Sequence, residues 1–507
     1  MRNTPSLRPL GEHDTWALFA IGAIAFAALL LHLPLPLNHD AAWHFETSFR
    51  LLEGARFGDG VYDVNPPMAA WLFTLPAVFV KLTGLSPTLV FKLFTFAVMA
   101  CALLASKAIL RKSARSNDWQ IAVLAFVLLL LPGYDFGQRE HLVVALTLPY
   151  VLLAALRADD ENVSLLPALA CGCAAALGIG MKPYFLALPL CVEAWLQFRS
   201  KDLRLLFRPE ALSLFGTLIV YLALVRTFAP DYLARVVPDA MLAYGAFQPP
   251  WENFAAAIVM RFFPAALAAL LAFALLRPSR SEATLPWASL AAALGFLFAA
   301  LWQRKGWTYQ LYPAVAWCLT AVGFSLFPDG KKRAGMAALV LVFALFVAIA
   351  PIAAFVADAY SPAGTASRVR ALTALFRANP GPNNTVYGFI TSPRDIHPAV
   401  LESRARWASA SGVLVFLPVL VNGGFAPADR AKVLAMEDRR DRELLADLAA
   451  AKPGVIVVDD APSKLGIRVP NFDYLGYFAR YHEFVQFMRG YTEQTRVGDW
   501  RIFLRRH

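Results

Sequence analysis

The sequence predicts an α-helical polytopic membrane protein: a bundle of about eleven spans, interfacial helices in its first outer loop, and a small α/β domain at the C-terminal end. Three observations predict it. Of 507 residues, 58% are hydrophobic and only 16% are charged, and mean hydropathy is +0.52, whereas soluble domains are nearer half apolar and about a quarter charged. Apolar runs recur at lengths of roughly 20 residues, enough to cross a bilayer. Basic residues gather in the short loops between alternate runs, as they do on the cytoplasmic side of membrane proteins.

The runs lie at 15–33, 86–110, 119–132, 141–157, 163–180, 184–198, 210–228, 254–277, 284–302, 308–327 and 335–357. Arg111, Lys112 and Arg115, then Arg199, Lys201, Arg204 and Arg208, then Arg277 and Arg280, then Lys331, Lys332 and Arg333 all fall on the side of the N-terminus. The positive-inside rule makes that side cytoplasmic. The acidic loop Arg157 to Asn162 carries no orientation signal. This distribution accounts for the net charge of +11 without nucleic acid as a partner. Met1 to Asp14 is polar and the first run lacks a small-residue cleavage site, so no cleavable signal peptide is expected. The opposite side then holds 34–85, 133–140, 181–183, 229–253, 303–307 and everything beyond 358. In a Gram-negative cell these face the periplasm, and the protein is a multi-pass component of the inner membrane.

Cys101, Cys171, Cys173, Cys191 and Cys318 all lie in apolar runs. The Cys171-Gly172-Cys173 spacing does not suit a zinc or redox motif, and small buried core residues are expected. The first outer loop is more patterned. Ala41, Phe45, Phe49 and Leu52 recur at helical spacing while Asp40, His44 and Thr47 share the other face, which predicts an amphipathic helix on the membrane surface. A second interfacial helix is expected to open at Pro66-Pro67 and run through Trp71 and Leu75. Two domains result, 1–358 in the membrane and 359–507 outside it. In the second, Val386 to Ile390, Gly412 to Val421 and Val455 to Val458 read as strands, with a helix from Ala428 to Ala451.

The residues suited to chemistry sit at outer ends of spans, where ionisable groups are costly unless used. Asn38-His39-Asp40-Ala41-Ala42-Trp43-His44 sets a carboxylate between two imidazoles; Asp also caps helices well, so Asp40 is expected to cap its own helix besides acting as a base. Gly133-Tyr134-Asp135-Phe136-Gly137-Gln138-Arg139-Glu140-His141 offers Glu140 or Asp135 as a second carboxylate and Arg139 for a phosphate, unless Arg139 and Glu140 are a solvated pair worth under about 1 kcal/mol. Lys182, Arg304 and Lys305 add outward cations, as snorkelling anchors or as fixed charge for a phosphate leaving group. Trp307 and Tyr309 are interfacial aromatics or a platform for a sugar ring. His39, Asp40 and His44 allow a divalent metal, with no diagnostic spacing.

This layout resembles the GT-C glycosyltransferases, in particular the bacterial branch of protein O-mannosyltransferases and lipid A aminoarabinose transferases, over about residues 10 to 330. By that resemblance Asp40 matches the loop carboxylate that serves as general base, and Asn65-Pro66-Pro67 matches the Pro motif, with Asn65 where relatives often carry His or Lys facing the donor phosphate. Ala41 stands where many relatives have a second acid. The resemblance implies a polyprenyl-phosphate sugar as donor and inverting transfer to a lipid, glycan or other envelope acceptor such as lipid A, the lipopolysaccharide core or a polysaccharide. Arg139, Lys182 and Arg304 or Lys305 would hold the leaving phosphate, while His39, His44, Trp307 and Tyr309 would meet sugar or acceptor. Three rivals remain: a transporter or flippase of lipid-linked sugars, a polymerase or ligase using a polyprenyl-pyrophosphate donor, and a non-catalytic scaffold. Transporters place ionisable residues near mid-membrane, whereas these cluster at outer ends.

Overall fold

The computed structural model describes residues 12–113, 117–327, 334–423 and 425–506. Arg115 and Lys331, Lys332 and Arg333 of the orientation argument, and residues 1–11, lie outside them. Helices occupy all eleven predicted runs. α1 (Glu12–His32) is followed by α2 (His39–Leu52), a short parallel pairing of β1 (Arg56–Phe57) with β2 (Gly60–Val61), α3 (Met68–Thr83) and α4 (Pro87–Leu110). Then come α5 (Asp118–Leu129), α6 (Arg139–Ala158), α7 (Leu165–Ile179), α8 (Ala187–Ser200) and α9 (Pro209–Phe228). The loop after α9 carries α10 (Val237–Ala243). α11 (Trp251–Arg261) and α12 (Phe263–Leu276) form one broken span, and α13 (Thr284–Gln303), α14 (Thr308–Leu326) and α15 (Ala334–Tyr360) complete the bundle. Among the described residues, seven helical stretches are long and apolar enough to cross a membrane, and α3, α5 and α7 are apolar but shorter.

Large apolar side chains such as Leu82, Leu104, Ile219 and Phe346 remain exposed on the bundle's outside, the expected surface toward lipid. Cys101 and Cys173 are exposed there too, contrary to the expectation of buried cysteines, and only Cys171 and Cys318 are buried. At the end away from Asp40, a buried network joins Arg208 to Glu193 and Glu210, and Arg157 to Glu210 at 3.1 Å. It ties α6, α8 and α9 together.

The C-terminal region is built on a five-stranded sheet of order β4-β3-β5-β7-β6. α16 (Thr365–Ala378) leads to β3 (Thr385–Phe389), then α17 (Ile396–Ser403), β4 (Arg406–Trp407), α18 (Leu417–Asn422), α19 (Arg430–Ala451) and β5 (Val455–Asp459). α20 (Tyr474–Phe478), α21 (His482–Met488), β6 (Tyr491–Val497) and β7 (Trp500–Arg505) follow. β3 lies parallel to β4 and β5, with Val386 opposite Val455, while β7 runs antiparallel to β5 and β6. β3 and β5 are buried throughout, which explains their unbroken apolar runs. Two features depart from expectation here. Gly412 to Val421 is no strand: it runs as a loop into α18, and its Gly412 backbone packs against the Trp43 ring, where a Cβ would come within 2.7 Å. The β6–β7 hairpin leaves little trace in the sequence because β6 alternates weakly and is largely exposed.

α2 also departs from expectation. It does not lie on a surface, for Ala41 to Ser48 are all buried. Phe45 packs on Phe91 of α4, with ring centroids 5.1 Å apart. On its other side Trp43 joins the core of the C-terminal sheet region, and Arg50 donates to the carbonyls of Ser409 at 2.7 Å and Trp407 at 2.5 Å. The second helix does open at the prolines, with Pro67 as its cap residue.

Candidate active site

Asp40 owes its position to Asn38. The Asn38 side chain accepts from the Asp40 N–H at 2.9 Å and caps α2, so Asp40 does not cap its helix as expected. Asn, as good a cap as Asp, takes that task and frees the Asp40 carboxylate for other partners. The Asn38 amide also donates to Asp135 at 3.2 Å and to the Tyr134 carbonyl at 3.4 Å, joining α2 to the turn before α6.

That turn brings the partners. Gly137 has φ +84°, and a Cβ there would lie 2.8 Å from the Phe91 ring, so only glycine fits comfortably. Its N–H donates to His141 at 2.9 Å, and the other ring nitrogen of His141 bonds the Leu128 carbonyl at 2.7 Å. The start of α6 is thereby fixed, and with it Gln138 and Arg139. Gln138 donates to Asp40 Oδ2 at 2.9 Å, and the Arg139 guanidinium lies 3.5 Å from the same oxygen. Arg139 also donates to Asn65 Oδ1. Asn65 is held in turn by Asp63, which accepts from its backbone at 2.9 Å and its amide at 2.7 Å. Asp63 accepts from Trp43 at 2.8 Å and faces His44 at 3.2 Å.

Part of this network opens on a cavity of about 1160 Å³ between the end of the bundle and the C-terminal sheet region. His39, Asp40, Asn65, Asp135, Arg139, Trp307 and Tyr309 stand on its wall. His44, Glu140, Lys182, Arg304 and Lys305 do not. His44 supports Asp63 from behind. Glu140 and Lys182 are 0% and 4% exposed and bond each other, so Glu140 does not make a solvated pair with Arg139. Lys182 lies under the Tyr309 ring, 5.1 Å from its centroid. Arg304 stacks on Trp251 at 4.0 Å. Lys305 donates to the Tyr244 carbonyl and sits 3.7 Å from that ring's centroid. Neither reaches the cavity, because each is held by aromatic faces on the loop side.

The roof has no counterpart among the sequence expectations. Arg394, Asp395, His397, Lys464 and Trp500 come from the C-terminal region and line the same cavity. Asp395, at φ +62°, accepts from Arg368 at 2.7 Å and Trp500 at 3.2 Å. The His397 ring bonds the Gly412 carbonyl at 2.8 Å, and its other nitrogen lies 3.5 Å from Glu46. The polar run Pro393-Arg394-Asp395-Ile396-His397 directly after a strand is the one signal the sequence offers.

Electrostatics separate the carboxylates. Burial pushes the Asp40 carboxyl up, but His39, Arg139, His44 and Lys182 together outweigh it and hold it below the usual range. Asp135 moves the other way: burial, then the Glu140 and Asp40 carboxylates, push it up to about 8. Burial lowers Lys182 against the pull of Glu140, and lowers Lys305 to about 7. His39 is lowered, chiefly by burial, and bonds the Tyr134 hydroxyl at 3.0 Å. An ionised carboxylate and a protonated one thus flank Asn38, a split typical of acid–base sites. Among the described residues no group of three His, Cys, Asp or Glu side chains is placed to hold a metal ion.

No family model and no curated protein matches the sequence. Its fold, however, superimposes on solved structures. ArnT from Cupriavidus metallidurans bound to undecaprenyl phosphate aligns with a TM-score of 0.60 at 13% identity, over 97% of this chain and 98% of that one. The apo state of ArnT aligns at 0.57 and 14% identity, over 96% and 98%. The chain therefore shares the fold of ArnT over nearly its whole length.

Proposed function

We propose that the protein is an inverting glycosyltransferase that moves a sugar from a polyprenyl-phosphate donor to a lipid or glycan acceptor of the cell envelope. The observation that carries this reading is the Asp40 carboxylate and the Arg139 guanidinium on one cavity wall, 3.5 Å apart. The one is suited to take a proton from an attacking hydroxyl, the other to receive a phosphate.

In the proposed reaction the acceptor oxygen attacks the anomeric carbon and its proton passes to Asp40. The bond from that carbon to the phosphate oxygen breaks, and its electron pair leaves with the polyprenyl phosphate. Arg139 binds the departing oxygens in its fork, Asn65 orients the guanidinium, and Lys182 adds charge from behind. A carboxylate held so low is a weak base in the free site. When a donor phosphate claims Arg139, its pull on Asp40 falls and the carboxylate becomes more basic. Asp135, protonated near neutral pH, donates to the sugar or the phosphate, taking the place of the second acid missing at Ala41. Trp307 and Tyr309 form the sugar platform, and the roof of Arg394, His397 and Trp500 excludes water.

Support comes from the fold it shares with ArnT, whose structure holds undecaprenyl phosphate. The C-terminal region, 359–507, is the outward domain in this reading, and the loops after α7 and α13 share its side. A cysteine introduced at Ala450, an exposed position, is expected to react with an impermeant thiol reagent from outside the cell; labelling only after lysis refutes the orientation. The decisive test of function is mass spectrometry of envelope glycolipids from cells with and without the protein. Loss of one sugar mass from one glycolipid class supports the proposal, and identical spectra under expression refute it.

A further inference from the structure

A second cavity, of about 430 Å³, opens on the side of α2 away from Asp40. Glu46, Phe49, Arg50 and Glu53 line it from α2, at a spacing that sets them along one helix face. Within it Arg50 is matched by Glu46 at 3.0 Å. Its mouth is not balanced. Glu53 pairs with Arg406 at 2.7 Å and Lys81 at 3.7 Å. Among the described residues Arg404 meets only backbone carbonyls, Gly84 at 2.6 Å and Leu85 at 3.2 Å. Three exposed cations therefore face one carboxylate.

The Gly84–Leu85 turn joins α3 to α4. Below it those helices present Phe79, Leu82, Leu89 and Leu93 outward, all exposed, so the mouth sits where the lipid-facing surface ends. Excess positive charge above an apolar groove complements one class of molecule, with a phosphate at its head and hydrocarbon beneath. The volume falls within the range of ligand pockets.

We infer that this cavity binds an anionic phospholipid of the surrounding bilayer, with Arg404 and Arg406 on its phosphate and Phe49, Val80 and Leu401 against the first part of an acyl chain. The site is separate from the one proposed for the donor, yet adjacent to it. Glu46 lines this cavity and His397 the larger one, and the two side chains lie 3.5 Å apart. The occupant touches the helix that carries Asp40.

Native mass spectrometry of the full chain in detergent tests this, with phosphatidylglycerol as probe and phosphatidylcholine and inorganic phosphate as comparisons. The wild type is expected to keep one phosphatidylglycerol in preference to phosphatidylcholine. R404E/R406E should weaken that adduct about tenfold or more, since each basic residue near a lipid head group contributes on the order of 1 kcal/mol. Ala55→Phe, which fills the cavity without altering a charge, should do the same, and thermal unfolding in the same detergent identifies which variants remain folded. Persistence of the adduct in either folded variant overturns the inference. So does equal retention of phosphatidylcholine, or displacement of the lipid by inorganic phosphate alone.

Discussion

Replacing Asp40 with Asn keeps shape and removes the charge on which the proposed chemistry depends. The oxygen of the new side-chain amide can still accept from Gln138, which bonds the Asp40 carboxylate at 2.9 Å, but Arg139 loses its carboxylate partner at 3.5 Å. Arg139 is only 3% exposed, yet Asp40 is 20% exposed and Arg139 keeps its bond to Asn65. Loss of one long charged hydrogen bond under those conditions costs about 1–2 kcal/mol, too little to unfold a protein of this size. Loss of the general base removes about 10²- to 10⁴-fold in rate. The variant should therefore appear in the membrane at normal level, melt within a few degrees of the wild type, and show almost no transfer of sugar from a polyprenyl-phosphate donor in proteoliposomes. Asp40→Glu restores the charge one methylene out of place and should recover part of the rate. If Asp40→Asn transfers within about threefold of the wild type, proton abstraction by this carboxylate is excluded.

Arg139→Ala is expected to raise the apparent KM for the donor by about 10-fold or more while leaving the acceptor KM near its original value, as loss of a charged phosphate contact does; an unchanged donor KM removes the phosphate role. Lys182→Met alone strands Glu140 without its partner and should destabilise by about 3–5 kcal/mol, whereas Lys182→Met with Glu140→Leu should recover most of that. Thermal unfolding of the single and double variants decides it, and equal melting temperatures refute the pairing. Asp135 makes stability depend on pH. Its carboxyl rises from 3.8 to about 8 on folding, so the folded state binds the extra proton between those values and loses stability as pH climbs through them. Asp135→Asn should flatten that decline and gain stability at alkaline pH relative to the wild type; parallel curves for the two proteins speak against a raised Asp135.

Much of this architecture is written in short-range pattern. Roughly 20-residue apolar runs yield bundle helices because the bilayer requires backbone bonds to close within one segment, and Val455 to Val458 yields a strand because both its faces are covered. Asp40, Arg139 and Asn65 are legible for a related reason, since charged or amide groups at span ends stand out against an apolar background. Direction is not legible. Asn38 takes the cap by accepting from the N–H of Asp40 itself, and its amide is held by Asp135, some hundred residues on. Lys182, Arg304 and Lys305 all look like cavity cations in sequence, yet Glu140 takes Lys182 and the aromatic rings of Trp251 and Tyr244 hold Arg304 and Lys305 off the wall. Arg394, Asp395 and Trp500 are invisible as site residues because the contacts that bring them over Asp40 are all long-range.

The burial of α2 on both sides has a consequence for how the protein is made. Arg50 and the Ser409 carbonyl that receives it are 359 residues apart in the chain. At ribosomal rates of about 5–20 residues per second, roughly 20 to 70 seconds pass between their appearances. During that interval the helix bearing Asp40 has emerged with Trp43, Glu46 and Arg50 uncovered and its cavity unroofed. The cavity wall proposed to meet the donor is assembled in that interval but stays open to water. Only when the sheet region docks does the cavity close, so a nascent or truncated chain that reaches the membrane lacks the enclosure that the proposed transfer requires.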